Sequence, residues 1–358
     1  MNRCDVVVVG AGVMGAATAW TLAREGRDVV LLERYAPGHD RGSSHGGTRI
    51  FRLAYDDRRF VRMALESLPL WRELESDAGE ELLQTGAAVD HGPRAALEPI
   101  AAALAAEGVD HEWLAPGEAH ERWPGMRFDG AVLFHPGGGR CFAERTVSAL
   151  CARAAHHGAD VRFGAGRAEV VRRDGAASVL VRAGGEEWEA RVAVVTAGAW
   201  VGEVVAGLGI ELPPLRVTLE QVQHFRPRDG GGIDPHPDWP SFIHHRADGA
   251  AVYGLATPGE GVKVDEHHAG RAVDPEHDDR LADPVRRAAL CRYVADWFPG
   301  LEPNPVHMAT CLYTSTPDDS FVLERRGPIV VGSPCSGHGF KFAPWIGRQL
   351  ARLASSRS

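Results

Sequence analysis

The sequence predicts a mixed α/β (α+β) fold in which a nucleotide-binding unit built on parallel strands is interleaved with a second, antiparallel-sheet unit. Three observations carry the prediction. Residues 5–33 read as strand, glycine turn, helix, strand and terminal acid. Residues 167–196 read as three short alternating strands leading into a strand that ends in a small-residue turn. The remaining stretches hold longer strands and no further βα repeat. At 358 residues the chain is too long for one compact core, which favours two such units.

Asp5 to Val9 is a short run of valines, the pattern of a strand buried on both faces. Gly10, Gly12 and Gly15 follow as GxGxxG, then a helical pattern ending at Gly26. A second strand, Val29 to Leu32, ends in Glu33, 23 residues after Gly10. The glycines let backbone N–H groups approach a pyrophosphate at the helix N-terminus, and Glu33 accepts hydrogen bonds from a ribose diol. This is a Rossmann-like dinucleotide site, which by itself does not choose between NAD and FAD. Two later features favour FAD. One is the polar loop 41–49, with Ser43, Ser44, His45, Thr48 and Arg49, followed by a helix carrying Phe60, Val61, Ala64, Leu68, Trp71 and Leu74 on one face. The other is the β-meander at 167–173, 178–183 and 187–191, which leads into Val192 to Thr196 and the turn Ala197-Gly198-Ala199-Trp200. Small residues there suit close approach of backbone to a flavin nucleotide.

Residues 77–140 hold a short strand near Ala87 to Val89, a helix near Ala95 to Glu107, and Pro and Gly turns ending in Gly137-Gly138-Gly139. A helix from Ala143 to His157 resumes the first unit. Strands at Arg216 to Phe225, Ser241 to His245 and Ala250 to Leu255, a Pro/Gly/Asp loop at 226–240 and a helix from Asp283 to Phe298 follow. A buried strand at Pro328 to Val331, a glycine-rich turn and a helix from Ala343 to Leu353 close the pattern. The expected division is 1–76, 141–211 and 318–358 for the nucleotide-binding domain, with 77–140 and 212–317 for the substrate domain.

Composition excludes several classes. Hydrophobic residues are 44% and charged residues 24%, the balance of a globular chain with a core. No run approaches about eighteen apolar residues, and Met1 leads directly into a strand, so neither a membrane span nor an export segment is expected and the location expected is cytoplasmic. A net charge of −9, with no Lys/Arg run interleaved with aromatics, argues against nucleic acid. The six cysteines are scattered without a CxxC pair, as for reduced thiols, and the histidines lack ligand spacing, so no metal is expected. Of the 39 Lys and Arg residues only Lys263 and Lys341 are lysine. Arginine cannot imitate a compact ammonium whose pKa shifts on burial, so the two survivors are candidate functional residues.

The motifs GAGVMG (10–15), GSSHGGTRIFRLAY (42–55), TAGAW (196–200), GVK (261–263), CLYTSTPDDSF (311–321) and SGHGFKF (336–342) resemble those of one family, across nearly the whole chain. This is the monomeric sarcosine oxidase and N-methyltryptophan oxidase group of the D-amino-acid-oxidase-like flavoproteins. Both lysines fall inside these motifs. The resemblance implies an FAD domain, an antiparallel substrate domain, and oxidation of a secondary or cyclic α-amino acid at its C–N bond, with oxygen reduced to hydrogen peroxide. It also implies a monomer. A biosynthetic flavoenzyme oxidising a cyclic or aromatic amino-acid derivative, or a dehydrogenase using another electron acceptor, stands as the alternative.

Residue by residue, the resemblance implies that Cys311 bonds covalently to the flavin 8α-methyl carbon, a step that uses the thiolate. Arg52 and Lys341 would grip the substrate carboxylate, and Lys263 would lie by flavin N5 and promote reaction with oxygen. Arg49 and His45 would pack against the ring as positive charge, while Tyr253, Tyr313 and His267 would line the substrate cavity. Gly337 and Gly339, with Ser43, Ser44 and Thr48, would belong to the cofactor cradle. The chain departs from the family pattern at Asp265 and Glu266, where two acids are expected at the cavity edge, disfavouring a neutral sarcosine-like mouth and welcoming a cationic or larger substrate. At Glu220 it reads LEQV where RQV is more usual.

Overall fold

The protein is described here by a computed structural model covering residues 1–172, 178–228 and 232–356. Residue 173 of the first meander strand and residues 229–231 of the Pro/Gly/Asp loop lie outside the described residues.

Two mixed sheets organise the chain. The first runs in the order Val322–Arg326, Ile329–Ser333, Glu186–Val195, Asn2–Val9, Val29–Leu32 and Asp160–Arg162. The last five are parallel, and Val322–Arg326 closes one edge antiparallel. The valine run works as a two-sided strand. Val6 and Val8 join a core cluster with the helices Val13–Arg24, Ala143–His156 and Ala343–Ser355, whereas Val7 and Val9 join a second cluster under the meander. Strand alternation thus fills both layers from four consecutive residues.

The second sheet has ten strands. Its main path is Arg271–Ala272, Arg216–Pro227, Gly261–Glu266, Ala251–Thr257, Ser241–His245, Leu83–Gly92, Ala131–Phe142 and Thr48–Phe51. Leu301–Ser315 adds to Arg216–Pro227, and Glu112–Leu114 to Ala131–Phe142. All pairs are antiparallel except Ser241–His245 with Leu83–Gly92. The helix Pro284–Trp297, capped by Asp283 through Val285 N (2.8 Å), packs with Phe225, Phe242, Val262 and Val264 on one face. The other face looks onto the first sheet's loops. Thr48–Phe51, inside the first nucleotide-binding segment of the sequence, pairs in this sheet.

Three differences from the sequence reading have physical causes. The expected turn Gly137-Gly138-Gly139 is instead part of the strand Ala131–Phe142. Gly139 has φ +144°, and a Cβ on Gly138 would sit 2.2 Å from that of Ala88, so the glycines let two strands approach across a register shift at Gly86/Ala88. Residues 187–191 and 192–196 form one continuous strand, Glu186–Val195. The longest strand, Leu301–Ser315, was not expected. Pro303 and Pro305 break its pattern, and it is tolerated because it pairs on one side only.

Candidate active site

A cavity of about 1030 Å³ runs between the two sheets, from the glycine turn to Lys341. At one end lies the first βα turn. Gly10 has φ +98°, and a Cβ there would lie 2.7 Å from Thr196 O, while one on Gly15 would lie 1.8 Å from Gly10 O. Gly15 therefore does not line the cavity but lets helix and strand meet behind it. The helix N-cap, Gly12, offers no side-chain acceptor, and Ser44 Oγ takes the Val13 N–H (3.1 Å). Glu33 accepts from Ala11 N (2.8 Å) and Tyr35 N (3.0 Å). Burial opposes its charge, but the His39 side chain and these two amides win and hold the carboxyl below its usual range. Ser43, Ala197, Gly198 and Trp200 line the same end. The Ser43 hydroxyl is spent on the Leu312 carbonyl, and Trp200 Nε1 donates to Glu276 Oε2 (2.9 Å).

The middle of the cavity is cationic. Arg49 donates to the carbonyls of Thr48 (2.8 Å), Ser43 (2.9 Å) and His45 (2.7 Å), so its guanidinium is fixed without a carboxylate partner among the described residues. Lys263, 4% exposed, donates to the Thr48 carbonyl. Burial, then Arg49, brings its pKa from 10.5 to about 7. Cys311 faces the same space. Burial pushes its thiol up to about 11, although Arg49 and Lys263 pull it down.

Two expectations are corrected here. His45 lines the cavity, but burial and Arg49 lower its pKa to about 4 and its Nε2 has no partner, so it is neutral and Arg49 supplies the fixed charge. Thr48 does not line the cavity. Its hydroxyl bonds Thr257 Oγ1 (2.6 Å), and its contribution is the backbone oxygen that positions Lys263.

At the far end stand Arg52 and Lys341. Arg52 Nη1 donates to Ala54 O (2.6 Å), lies 3.9 Å from Asp90 Oδ1, and its guanidinium sits 4.1 Å over the Tyr55 ring. Lys341 Nζ donates to His338 O (2.6 Å), and burial followed by Arg52 lowers its pKa well below the usual value. Trp71, fully buried in the helix Arg58–Ala78, donates Nε1–H to Lys341 O (2.8 Å) and locks the segment that carries the lysine. Tyr253 and Tyr313 line the same end of the cavity, and His267 packs edge-on to both, at 6.1 and 5.6 Å. Burial pushes both phenols well up and the imidazole well down, so all three are neutral. Gly337 must lack a side chain, since a Cβ would lie 2.4 Å from the Tyr313 ring; one on Gly339 would lie 1.7 Å from Pro334 O.

The pair of acids expected at the cavity edge is a third correction. Asp265 is 2% exposed, absent from the cavity wall, and 3.4 Å from Arg286. Glu266 lies 3.6 Å from Arg246. Neither presents a charge to a substrate. Sequence reading also missed several lining or bracing residues. Tyr55 and His338 lay inside quoted motifs, so a signal existed. The Asp90–His245 bond (2.8 Å) behind Arg52 joins residues 155 apart, for which no spacing rule exists.

An elongated cavity with a helix N-terminus whose N-cap, Gly12, brings no side chain, an ionised acid beside it and a cationic middle fits FAD. Ala11, Gly12 and Glu33 would hold its nucleotide half, and Arg49, Lys263 and Cys311 would surround its ring. The chain belongs to the family described as DAO: FAD dependent oxidoreductase, matched over residues 5–353. Within that class it is an amino-acid-oxidase type of flavoenzyme. It is 35% identical to the peroxisomal sarcosine oxidase of Mus musculus, over 98% of this chain and 92% of that one. It is 32% identical to the monomeric sarcosine oxidase of Bacillus sp. (strain NS-129), over 98% and 93%. The solved structure of NikD, an unusual amino acid oxidase essential for nikkomycin biosynthesis, superposes with a TM-score of 0.87 at 28% identity, covering 100% of this chain and 95% of NikD.

Proposed function

We propose that this protein oxidises the C–N bond of a secondary or cyclic α-amino acid to an imine, with oxygen reduced to hydrogen peroxide, as a cytoplasmic monomer carrying FAD covalently on Cys311. The observation that carries the reading is the charge distribution. Arg49, Arg52 and both lysines of the chain converge on one cavity. Three of the carboxylates lining it are engaged elsewhere, Glu33 at Ala11 N, Glu144 at Gly46 N (2.7 Å) and Glu203 at Arg167 (3.1 Å), and the fourth, Glu260, acts on Lys263 in the middle of the cavity rather than on the far end. The far end therefore selects an anion.

FAD supplies the two-electron acceptor when bound. Arg52 and Lys341 receive the substrate carboxylate, whose negative charge offsets two cations that otherwise repel each other and restores the Lys341 proton. A neutral His267 and two neutral phenols offer hydrogen bonds but no counter-ion for an ammonium. The surrounding cations disfavour that ammonium further, so the amine binds as the free base whose lone pair the oxidation requires. Lys263, titrating near neutrality, holds a proton at its Nζ where charge develops on oxygen. The secondary-amine class draws support from the sarcosine oxidases among the relatives.

The test is anaerobic mixing of the purified protein with N-methyl, cyclic and primary α-amino acids, followed by air. Bleaching by a secondary or cyclic acid and recovery of colour with peroxide in air is the expected result. A colourless protein, or a flavin that none of them bleaches, overturns the reading. Bleaching without recovery in air places the chain among dehydrogenases.

A further inference from the structure

The buried acids Glu220 and Asp265 have no part in the scheme above, yet they lie under its centre. Glu220 stands directly opposite Cys311 in the pairing of Arg216–Pro227 with Leu301–Ser315. Val222 and Ala309, the next pair on that face, line the cavity, so Glu220 and Cys311 face the same way. Direct opposition puts their Cβ atoms about 4.5–5.5 Å apart, within reach for a glutamate side chain. On the neighbouring strand Asp265 stands opposite Tyr253.

Glu220 is 0% and Asp265 2% exposed. Arg286 Nη2 lies 3.7 Å from Glu220 Oε2 and 3.4 Å from Asp265 Oδ1, and Thr218 Oγ1 donates to Glu220 Oε1 (2.6 Å). Glu220 Oε2 and Asp265 Oδ2 are buried with no hydrogen-bond partner. One guanidinium does not compensate two buried carboxylates, so one of the pair keeps its proton. Burial raises Asp265 well above the usual carboxylate range, which makes it the neutral member of the pair, and Glu220 keeps one oxygen, Oε2, that accepts no hydrogen bond. The Cys311 thiol, for its part, is protonated at neutral pH and needs an acceptor before its sulfur can bond to carbon.

We propose that Glu220 is the proton acceptor for Cys311 when its thioether to the flavin forms. The proposal rests on the covalent attachment proposed above. In the step the S–H proton passes to Glu220, a second proton leaves the flavin 8-methyl carbon to water, and sulfur bonds to that carbon. The two electrons released reduce the flavin, and molecular oxygen then takes them with two protons as hydrogen peroxide.

The test uses full-length protein produced without riboflavin, mixed with FAD, with aliquots precipitated in acid and the yellow colour of the pellet followed over time. Wild type turns the pellet yellow. Glu220→Gln binds FAD with an unchanged Kd but links it about 10²-fold more slowly, and its linking rate rises with pH as the thiol ionises unaided. Glu220→Asp, which keeps a carboxylate, links faster than Glu220→Gln. Equal linking rates for wild type and Glu220→Gln, or for the Gln and Asp variants, overturn the proposal. A wild-type pellet that stays colourless with FAD bound overturns the covalent reading itself, and this proposal with it.

Discussion

Lys263 is a stability cost that the fold bears for the sake of its cavity. An ammonium brought from a pKa of 10.5 to about 7 by burial costs the folded state about 5 kcal/mol at neutral pH. Replacing it by methionine removes that cost and fills the same stem volume, but leaves the Thr48 carbonyl without its Lys263 donor, a loss of about 1–3 kcal/mol. The cofactor-free Lys263→Met protein is therefore expected to be about 2–4 kcal/mol more stable than wild type at pH 7. The sign of the pH dependence follows from proton counts. Between pH 7 and 10.5 the unfolded wild type holds a proton on Lys263 that the folded state lacks, so wild-type stability rises with pH and the advantage of the variant shrinks. The slope is about 1.4 kcal/mol per pH unit, and below pH 7 the advantage is constant. Urea unfolding of both proteins at constant ionic strength from pH 6 to 9 measures it. A variant less stable than wild type at pH 7, or a difference independent of pH from 7 to 9, refutes the reasoning.

Other expectations concern the loaded enzyme. Stopped-flow measurements on Lys263→Met should show reoxidation by oxygen slowed about 10²–10³-fold and reduction by substrate nearly unchanged; equal slowing of both half-reactions contradicts a role towards oxygen. Arg52→Lys keeps the charge but loses the fork, so a carboxylate inhibitor should bind about 10-fold or more weakly with flavin content unaltered, and unchanged affinity removes Arg52 from the clamp. In Gly337→Ala the new Cβ at φ +71° meets the Tyr313 ring at 2.4 Å, so the free energy of unfolding from urea titration should drop by about 1–3 kcal/mol and inhibitor binding weaken with it; a neutral substitution would show that the ring moves freely.

The nucleotide end was legible because its chemistry is local. Strand, glycine turn, helix and Glu33 are neighbours in sequence, and backbone sterics at Gly10 and Gly15 leave few substitutes. The meander and the helices at 143–156 and 343–355 were legible for the same reason, through periodicity. The second sheet was only partly so. Leu301–Ser315 hides behind two prolines, and Gly137–Gly139 reads as a turn until the partner strand is seen to press against it. At the site, residue types and motifs singled out Lys263, Arg52 and Lys341, which the structure brings to one cavity, but not their charge states. Burial decides that His45 is neutral and that Asp265 keeps a proton, and burial is set by strands far apart in the chain. Asp265 shows the limit well. Two residues beyond Lys263 it promises a charge in the cavity, yet Arg286 draws it into the sheet.

The most direct measurement is a crystal structure of the purified yellow protein soaked with a non-oxidisable thioether analogue of an N-methyl amino acid. The account predicts the isoalloxazine ring between Arg49 and Cys311, with the analogue's carboxylate within about 3 Å of both the Arg52 guanidinium and the Lys341 ammonium. A carboxylate bound anywhere else, or a ring at the opposite end of the cavity from Lys263, contradicts it.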